Sequence, residues 1–144
     1  MRRPRSERGA VTIEFVVLLP LLMLIMAAVI GGARVWWARS TVTQLADSAA
    51  RQASISRTAS QAQTSAAQLV HDDAVQSDVR CVSGWPTLTL DTSGYGVPVG
   101  QPAEVRAHVE CDVPLSDVLL PGLPGSLLVQ GDAVSPLDRF RARG

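Results

Sequence analysis

Glu14 is a carboxylate within a stretch that is otherwise apolar from Ala10 to Ala33. An ionised carboxylate in hydrocarbon is costly, so one that stays there usually has a partner or a function. Two simpler explanations stay open: Glu14 lies near the lipid headgroups, or it favours the positive end of the helix dipole. If neither holds, the chemistry to expect of Glu14 is charge pairing with a cationic group in a low-dielectric environment.

Cys81 and Cys111 are the only cysteines and lie far beyond the apolar stretch. In an oxidising compartment, two such residues that flank strand-like segments most simply form one disulfide. A zinc site is the alternative, because His71 and His108 bring the number of candidate ligands to four. The chain has no C-x-x-C pair, and His108 and Cys111 are three apart in an apparent strand, on opposite faces. The sequence therefore favours a disulfide and no metal.

Catalytic motifs are lacking in the sequence, which contains neither a G-x-S-x-G elbow nor a phosphate-binding glycine loop. His71, next to Asp72 and Asp73, is interpreted as part of a solvated helix end, and His108 as an exposed strand residue. We therefore expect no enzyme activity and no cofactor.

The formal net charge is zero, and all 13 basic residues are arginines. A nucleic-acid partner is not expected, because such binders concentrate basic residues on one face. The C-terminal arginines, Arg139, Arg141 and Arg143, are interpreted as a solvated tail, with an acidic partner as the alternative.

The apolar stretch predicts a transmembrane helix over residues 10–33, because about 20 helical residues cross a hydrocarbon core of roughly 30 Å. A buried helix of a soluble protein is the alternative. The segment that follows suits a membrane–water interface, where indole rings and long cationic side chains are both favoured. Its predicted interface anchors are Arg34, Trp36, Trp37 and Arg39.

Orientation follows from charge and from the cysteines together. Arg2, Arg3, Arg5 and Arg8 precede the span, and Arg34, Arg39 and Arg51 follow it, so the positive-inside rule favours a cytoplasmic N-terminus only slightly. A disulfide would place the C-terminal part outside the cytoplasm. We therefore predict a single-pass cell-membrane protein with an extracytoplasmic C-terminal domain.

Beyond the span, apolar residues recur with helical spacing from Val42 to Ala53 and less regularly to Val70. This alanine-rich stripe predicts a helical stalk over residues 34–80, packed on a partner or on the C-terminal part, with a break near Ser54 to Ser56 as an alternative. Strands are predicted at Thr87–Leu90, Ala103–Val113 and Ser126–Ser135. The predicted fold is α+β: a transmembrane helix continuing into an extracytoplasmic helix, then a small antiparallel sheet with one disulfide over residues 81–144.

The N-terminal sequence "RSERGAVTIEF" resembles the prepilin-peptidase site of type IV pilins and pseudopilins. The resemblance implies a cleaved leader over residues 1–9, a cut between Gly9 and Ala10, and a role for Glu14 in subunit assembly. "GAVTIEFVVLLPLLMLI", with Pro20, resembles the start of TadE-like proteins of tight-adherence (Flp-type) pilus systems, and "GDAVSPLDRFR" resembles the C-terminal strand of many members. It implies a pilin-like fold.

The resemblance implies a type IVb pseudopilin, a minor structural or assembly component of a tight-adherence pilus or related secretion filament. Its implied partners are the membrane, prepilin peptidase, other pseudopilins or pilus subunits, and the assembly machinery. A membrane-anchored extracytoplasmic binding module with no filament role is the alternative. A secretory signal peptide cut after Ala33 is a third possibility, although its apolar core would normally be 7 to 15 residues long.

Overall fold

The computed structural model of the protein describes residues 10–115 and 125–142, with side chains from Phe15 onward. The elements in chain order are helix α1, Ala10–Ile55; helix α2, Ala59–Gln76; strand β1, Thr87–Asp91; a 3₁₀ turn, Ser93–Gly96; strand β2, Glu104–Pro114; and strand β3, Ser126–Pro136. This confirms the predicted α+β fold with a long N-terminal apolar helix. The predicted leader, including Gly9, lies outside the described residues.

Helix α1 is 46 residues long and continues through Pro20. Within the described ranges it is the one helix that is long and apolar enough to cross a membrane, and its apolar window is almost entirely uncovered by the rest of the protein. An apolar helix left exposed in this way suits a lipid environment and not the core of a soluble protein. The helix therefore fits a single-pass membrane protein.

A short break at residues 56–58 separates α1 from α2. The hydroxyl groups of Ser54 and Ser56 donate hydrogen bonds to the carbonyls of Arg51 and Gln52 in the last turn of α1, and such bonds compete with helix continuation. Thr58 then caps α2, because its hydroxyl accepts a 3.2 Å hydrogen bond from the amide of Gln61. The region from 34 to 80 thus contains two helices, and α2 folds back along α1.

Small side chains line the contact between the two helices and the sheet. The buried hydrophobic residues of α1 are Ala38, Val42, Leu45, Ala46, Ala49, Ala50 and Ala53, and those of α2 are Ala62, Ala66, Val70 and Ala74. The sequence left open whether the alanine stripe packs on a partner or on the C-terminal part. In the structure it joins the hydrophobic core that the helices share with the sheet.

The sheet has the order β1-β2-β3 and is antiparallel throughout. Val105, Ala107, Val109 and Cys111 all face the core, as their alternation with polar residues predicts. In register, Leu88 lies opposite Val109, which lies opposite Gly131 on β3. The predicted positions of all three strands are confirmed to within a residue or so at each end.

Gly131 is a point where α1 comes very close to the sheet. A methyl group built on Gly131 would lie 2.7 Å from the carbonyl oxygen of Val42 and 2.9 Å from the Cα of Thr43. These are backbone atoms, which cannot rotate away as a flexible side chain could. The helix backbone therefore rests on the strand because position 131 has no side chain.

The end of α1 is held by residues distant in sequence. The Tyr95 hydroxyl donates a hydrogen bond to the Ala53 carbonyl, and the Arg141 guanidinium donates one of 2.8 Å to the Ile55 carbonyl. The last carbonyls of a helix have no partner within it, so these contacts satisfy groups that would otherwise depend on water. They connect the 3₁₀ turn and the C-terminal tail to the C-terminal end of α1.

Cys81 and Cys111 form the predicted disulfide, with a Cα–Cα distance of 5.3 Å and a sequence separation of 30. The backbone strengthens this junction, because the Val82 amide donates a 2.8 Å hydrogen bond to the Asp112 carbonyl. The bridge ties the segment after α2 to the central strand. It uses both thiols, so it removes the zinc alternative that the sequence left open.

We expect the substitution Gly131→Ala to lower the free energy of unfolding of the full-length protein in detergent by roughly 1–3 kcal/mol, as overpacking does. Urea unfolding followed by circular dichroism measures the change. Gly96→Ala is the matched control, because a methyl group there meets nothing within 4 Å. Equal stability of the two variants would contradict the close approach at Gly131.

We expect the double substitution Cys81→Ser and Cys111→Ser to lower the free energy of unfolding by about 3.5 kcal/mol, the chain-entropy value for a loop of this length. Unfolding of the wild type with and without a reducing agent gives an independent measure of the same loss. A double mutant that is insensitive to reductant and as stable as the oxidised wild type would refute a structural role for the bridge.

Candidate functional site

The predicted processing and assembly residues lie at the start of α1. Ala10 is the first residue of the helix and Glu14 its fifth, whereas Gly9 lies outside the described residues. A cut between Gly9 and Ala10 would keep all described residues of α1 in the mature chain. Removal of a leader of nine residues remains a prediction.

The predicted interface anchors follow the apolar part of α1. Trp36 and Trp37 are 72% and 46% exposed, and Arg34 and Arg39 are also exposed. Ala38, which follows Trp37, is only 3% exposed and faces the globular part. Within one turn, α1 therefore carries one side chain that is buried against the globular part and two indole rings that are exposed. Exposed indole rings next to an apolar span are typical of a membrane–water interface.

A second polar site lies on the outer face of the sheet and was missed by the sequence analysis. His108 of β2 stands opposite Asp132 of β3 in the strand register. Its Nδ1 is 2.6 Å from a carboxylate oxygen of Asp132, and its Nε2 is 3.0 Å from one of Glu110. The Gln130 amide donates a further hydrogen bond of 2.7 Å to Glu110. We call these four residues the outer-face cluster.

The carboxylates of the outer-face cluster favour the charged form of His108. Hydrogen bonds to Glu110 and then to Asp132 raise the pKa of His108 above its usual value. The hydrogen bond from His108, followed by that from Gln130, lowers the pKa of Glu110. All these groups face solvent, so their attraction is screened and contributes little to stability. The cluster is an ion-pair network on an exposed sheet face, and within the described part of the chain no group of histidines, cysteines and carboxylates forms a metal site.

The sequence contained part of the signal for this cluster. Alternation on β2 puts His108 and Glu110 on the same face, where they are two residues apart. Asp132 comes from another strand, and its position depends on the β2–β3 register, which the sequence alone did not provide. His71, in contrast, lies on α2 with its ring 5.1 Å from that of Trp85 and takes no part in the cluster.

The outer-face cluster predicts a pH dependence. A raised pKa in the folded state stabilises the protein fully below the unfolded pKa of about 6.5, and this stabilisation is lost as pH rises through the folded pKa. We therefore expect the midpoint of His108, followed by NMR in the His71→Asn variant, to lie above 6.5. Glu110→Gln should lower that midpoint. A midpoint at or below 6.5, unchanged by Glu110→Gln, would contradict the network.

Comparison with known proteins gives one family. The family model described as TadE-like protein matches residues 9–51, which include the predicted processing site, Glu14, the apolar span and the interface anchors. No curated protein and no solved structure matched the chain. The matched region covers about the first third of the chain and ends within the buried alanine stripe of α1. Residues 9–51 of this chain are therefore similar to TadE-like proteins, in agreement with the resemblance of its N-terminal motif.

Proposed function

We propose that this protein is a TadE-like pseudopilin, a minor structural or assembly component of a tight-adherence (Flp/type IVb) pilus or of a related secretion filament. The observation that carries the proposal is the TadE-like segment over residues 9–51. That segment supports an association with a Tad pilus. The role as pseudopilin and the processing after Gly9 go further than the family match and rest on the sequence motif around Gly9.

In the proposed mechanism, α1 anchors the subunit in the membrane until assembly. Prepilin peptidase removes the leader on the cytoplasmic side and creates a new amine on Ala10. The Glu14 carboxylate of one subunit and the Ala10 amine of its neighbour then neutralise each other in a low-dielectric environment, where an unpaired charge is costly. Assembly would thus depend on a complementary pair that exists only after cleavage.

The disulfide supports the proposed orientation. A structural bridge between Cys81 and Cys111 is stable in an oxidising compartment and rare in the cytoplasm. In the proposal, the N-terminus is therefore cytoplasmic and residues beyond the span are extracytoplasmic. Other pseudopilins or pilus subunits would meet the globular part there, and no enzymatic step is required of this protein.

The continuity of α1 argues against the third possibility, release by signal peptidase. The helix runs without interruption from Ala10 to Ile55, and one of its faces between Ala38 and Ala53 belongs to the core. A cut after Ala33 would have to open a helix that the globular part packs against. A membrane-anchored binding module with no filament role remains the alternative, and it requires no cut at Gly9.

The mature N-terminus discriminates these possibilities. We expect the full-length protein, expressed with the prepilin peptidase of its own organism, to begin at Ala10 by intact-mass analysis, and to begin at Met1 without the peptidase. Gly9→Val should abolish the cleavage, because the protease loses a residue without a side chain. Gly32→Val is the matched control, since it makes the same change in the same chain where a methyl group meets nothing within 4 Å.

Glu14→Ala tests the assembly role separately. We expect this variant to be cleaved normally but to lose its co-purification with other pilus subunits from the native membrane. A start at Met1 in the presence of active peptidase would leave a simple anchor, and a start near Arg34 would indicate a secreted protein. Normal assembly of the Glu14→Ala variant would contradict the charge pairing.

A further inference from the structure

Two large apolar side chains of the globular part are exposed at the end that faces the membrane. Leu128, on the outer face of β3, is 50% exposed, and Val82, next to the disulfide, is 64% exposed. Neither belongs to the apolar span, and neither is explained by the shared core. What they share with Trp36 and Trp37 is their height, by which we mean the position along the axis of α1.

Strand β3 runs in the same direction as α1. Gly131 lies against Val42 and Thr43, which fixes one point of contact. At the other end, Gly94 lies against the side chain of Leu137, just after β3, and the neighbouring Tyr95 bonds the Ala53 carbonyl. Residue numbers therefore increase in the same direction along β3 and along α1. The start of β3 lies toward the membrane-spanning part of α1.

Leu128 lies at the height of the two tryptophans. It precedes Gly131 by three residues, or about 10 Å at 3.3 Å per strand residue. Trp36 and Trp37 precede the contact at Val42 and Thr43 by six residues, or about 9 Å at 1.5 Å per helix residue. Val82 lies at the same height, because its amide donates a hydrogen bond to the carbonyl of Asp112. Asp112 is paired in register with Leu128.

These side chains surround α1 and do not form a patch on one side. Ala38 faces the globular part, and Trp36, two residues earlier, is about 200° away around a helix of 100° per residue. Leu128 lies on the far side of the sheet from α1. A partner that touches all of them must be flat and perpendicular to the helix at this height. The surface of the bilayer that α1 spans has this shape, whereas a docked protein would require neighbouring residues on one face.

We propose that the globular part rests on the lipid surface through a membrane-proximal rim formed by Trp36, Trp37, Val82 and Leu128. The ligand of this rim is the boundary between headgroups and acyl chains, which favours indole rings and single apolar side chains. The carboxylate of Asp112, exposed next to Leu128, limits the depth to the headgroup region. The inference depends on α1 as a membrane span and not on the pilus function.

The strand provides a matched pair of positions for a test. Val134 lies on the same outer face of β3 as Leu128 and is 53% exposed, compared with 50%. It is six residues, or about 20 Å, farther from the membrane. The two native cysteines form the disulfide, so a single added cysteine can be labelled under non-reducing conditions. The two sites differ in height and scarcely in exposure.

The experiment uses the full-length protein alone in vesicles of phosphatidylcholine and phosphatidylglycerol, with the environment-sensitive dye NBD on Leu128→Cys, Val82→Cys or Val134→Cys. Nitroxide-labelled headgroups should quench the dye at positions 128 and 82 several-fold more strongly than at 134, with emission shifted to shorter wavelength. Similar quenching at 128 and 134 would overturn the proposal. Unfolding curves that match the wild type show that each labelled protein is folded, and they make equal quenching a refutation.

Discussion

The contact between the α1 backbone and Gly131 is the constraint on which the rest of the structure depends. A helix with alanines on one face can approach a sheet only if the sheet also offers little side-chain volume, and Gly131, Ala107 and Ala133 meet this need. Small residues bury little area each, so the stabilisation comes from close backbone packing over a long contact and not from large side chains. This explains how a core with few aromatic residues holds three strands.

Such a core needs fastening at both ends, and the structure supplies it. At the end nearer the apolar part of α1, the disulfide joins the segment after α2 to β2. At the distal end, Tyr95 and Arg141 satisfy the last carbonyls of α1, and the Arg139 carbonyl accepts a hydrogen bond from the Gly100 amide. The core between these two ends is small, and small cores depend on such fastenings for their stability.

Local patterns predicted most of this architecture. Nineteen residues without a charge, from Phe15 to Ala33, indicated the span, and strict alternation from Val105 to Cys111 gave the buried face of β2. The break between the helices was only an alternative, because no glycine or proline interrupts residues 34–83 and serine side chains produce it instead. The His108–Asp132 pair and the contact at Gly131 depend on how distant segments are aligned. A glycine within a strand indicates a close approach of some backbone, but not which one.

The unbroken course of α1 has a geometric consequence. The same 46-residue helix contains the apolar segment that suits a membrane and one wall of the globular core, with no break between them. Because each helical residue turns the chain by 100°, any contact that fixed one side of the apolar segment would also fix the direction in which the sheet faces. A rotation of the anchor about its own axis would turn the outer-face cluster through the same angle. The orientation of the outer sheet face is therefore coupled to the rotation of the apolar segment, which lies at a distance from that face.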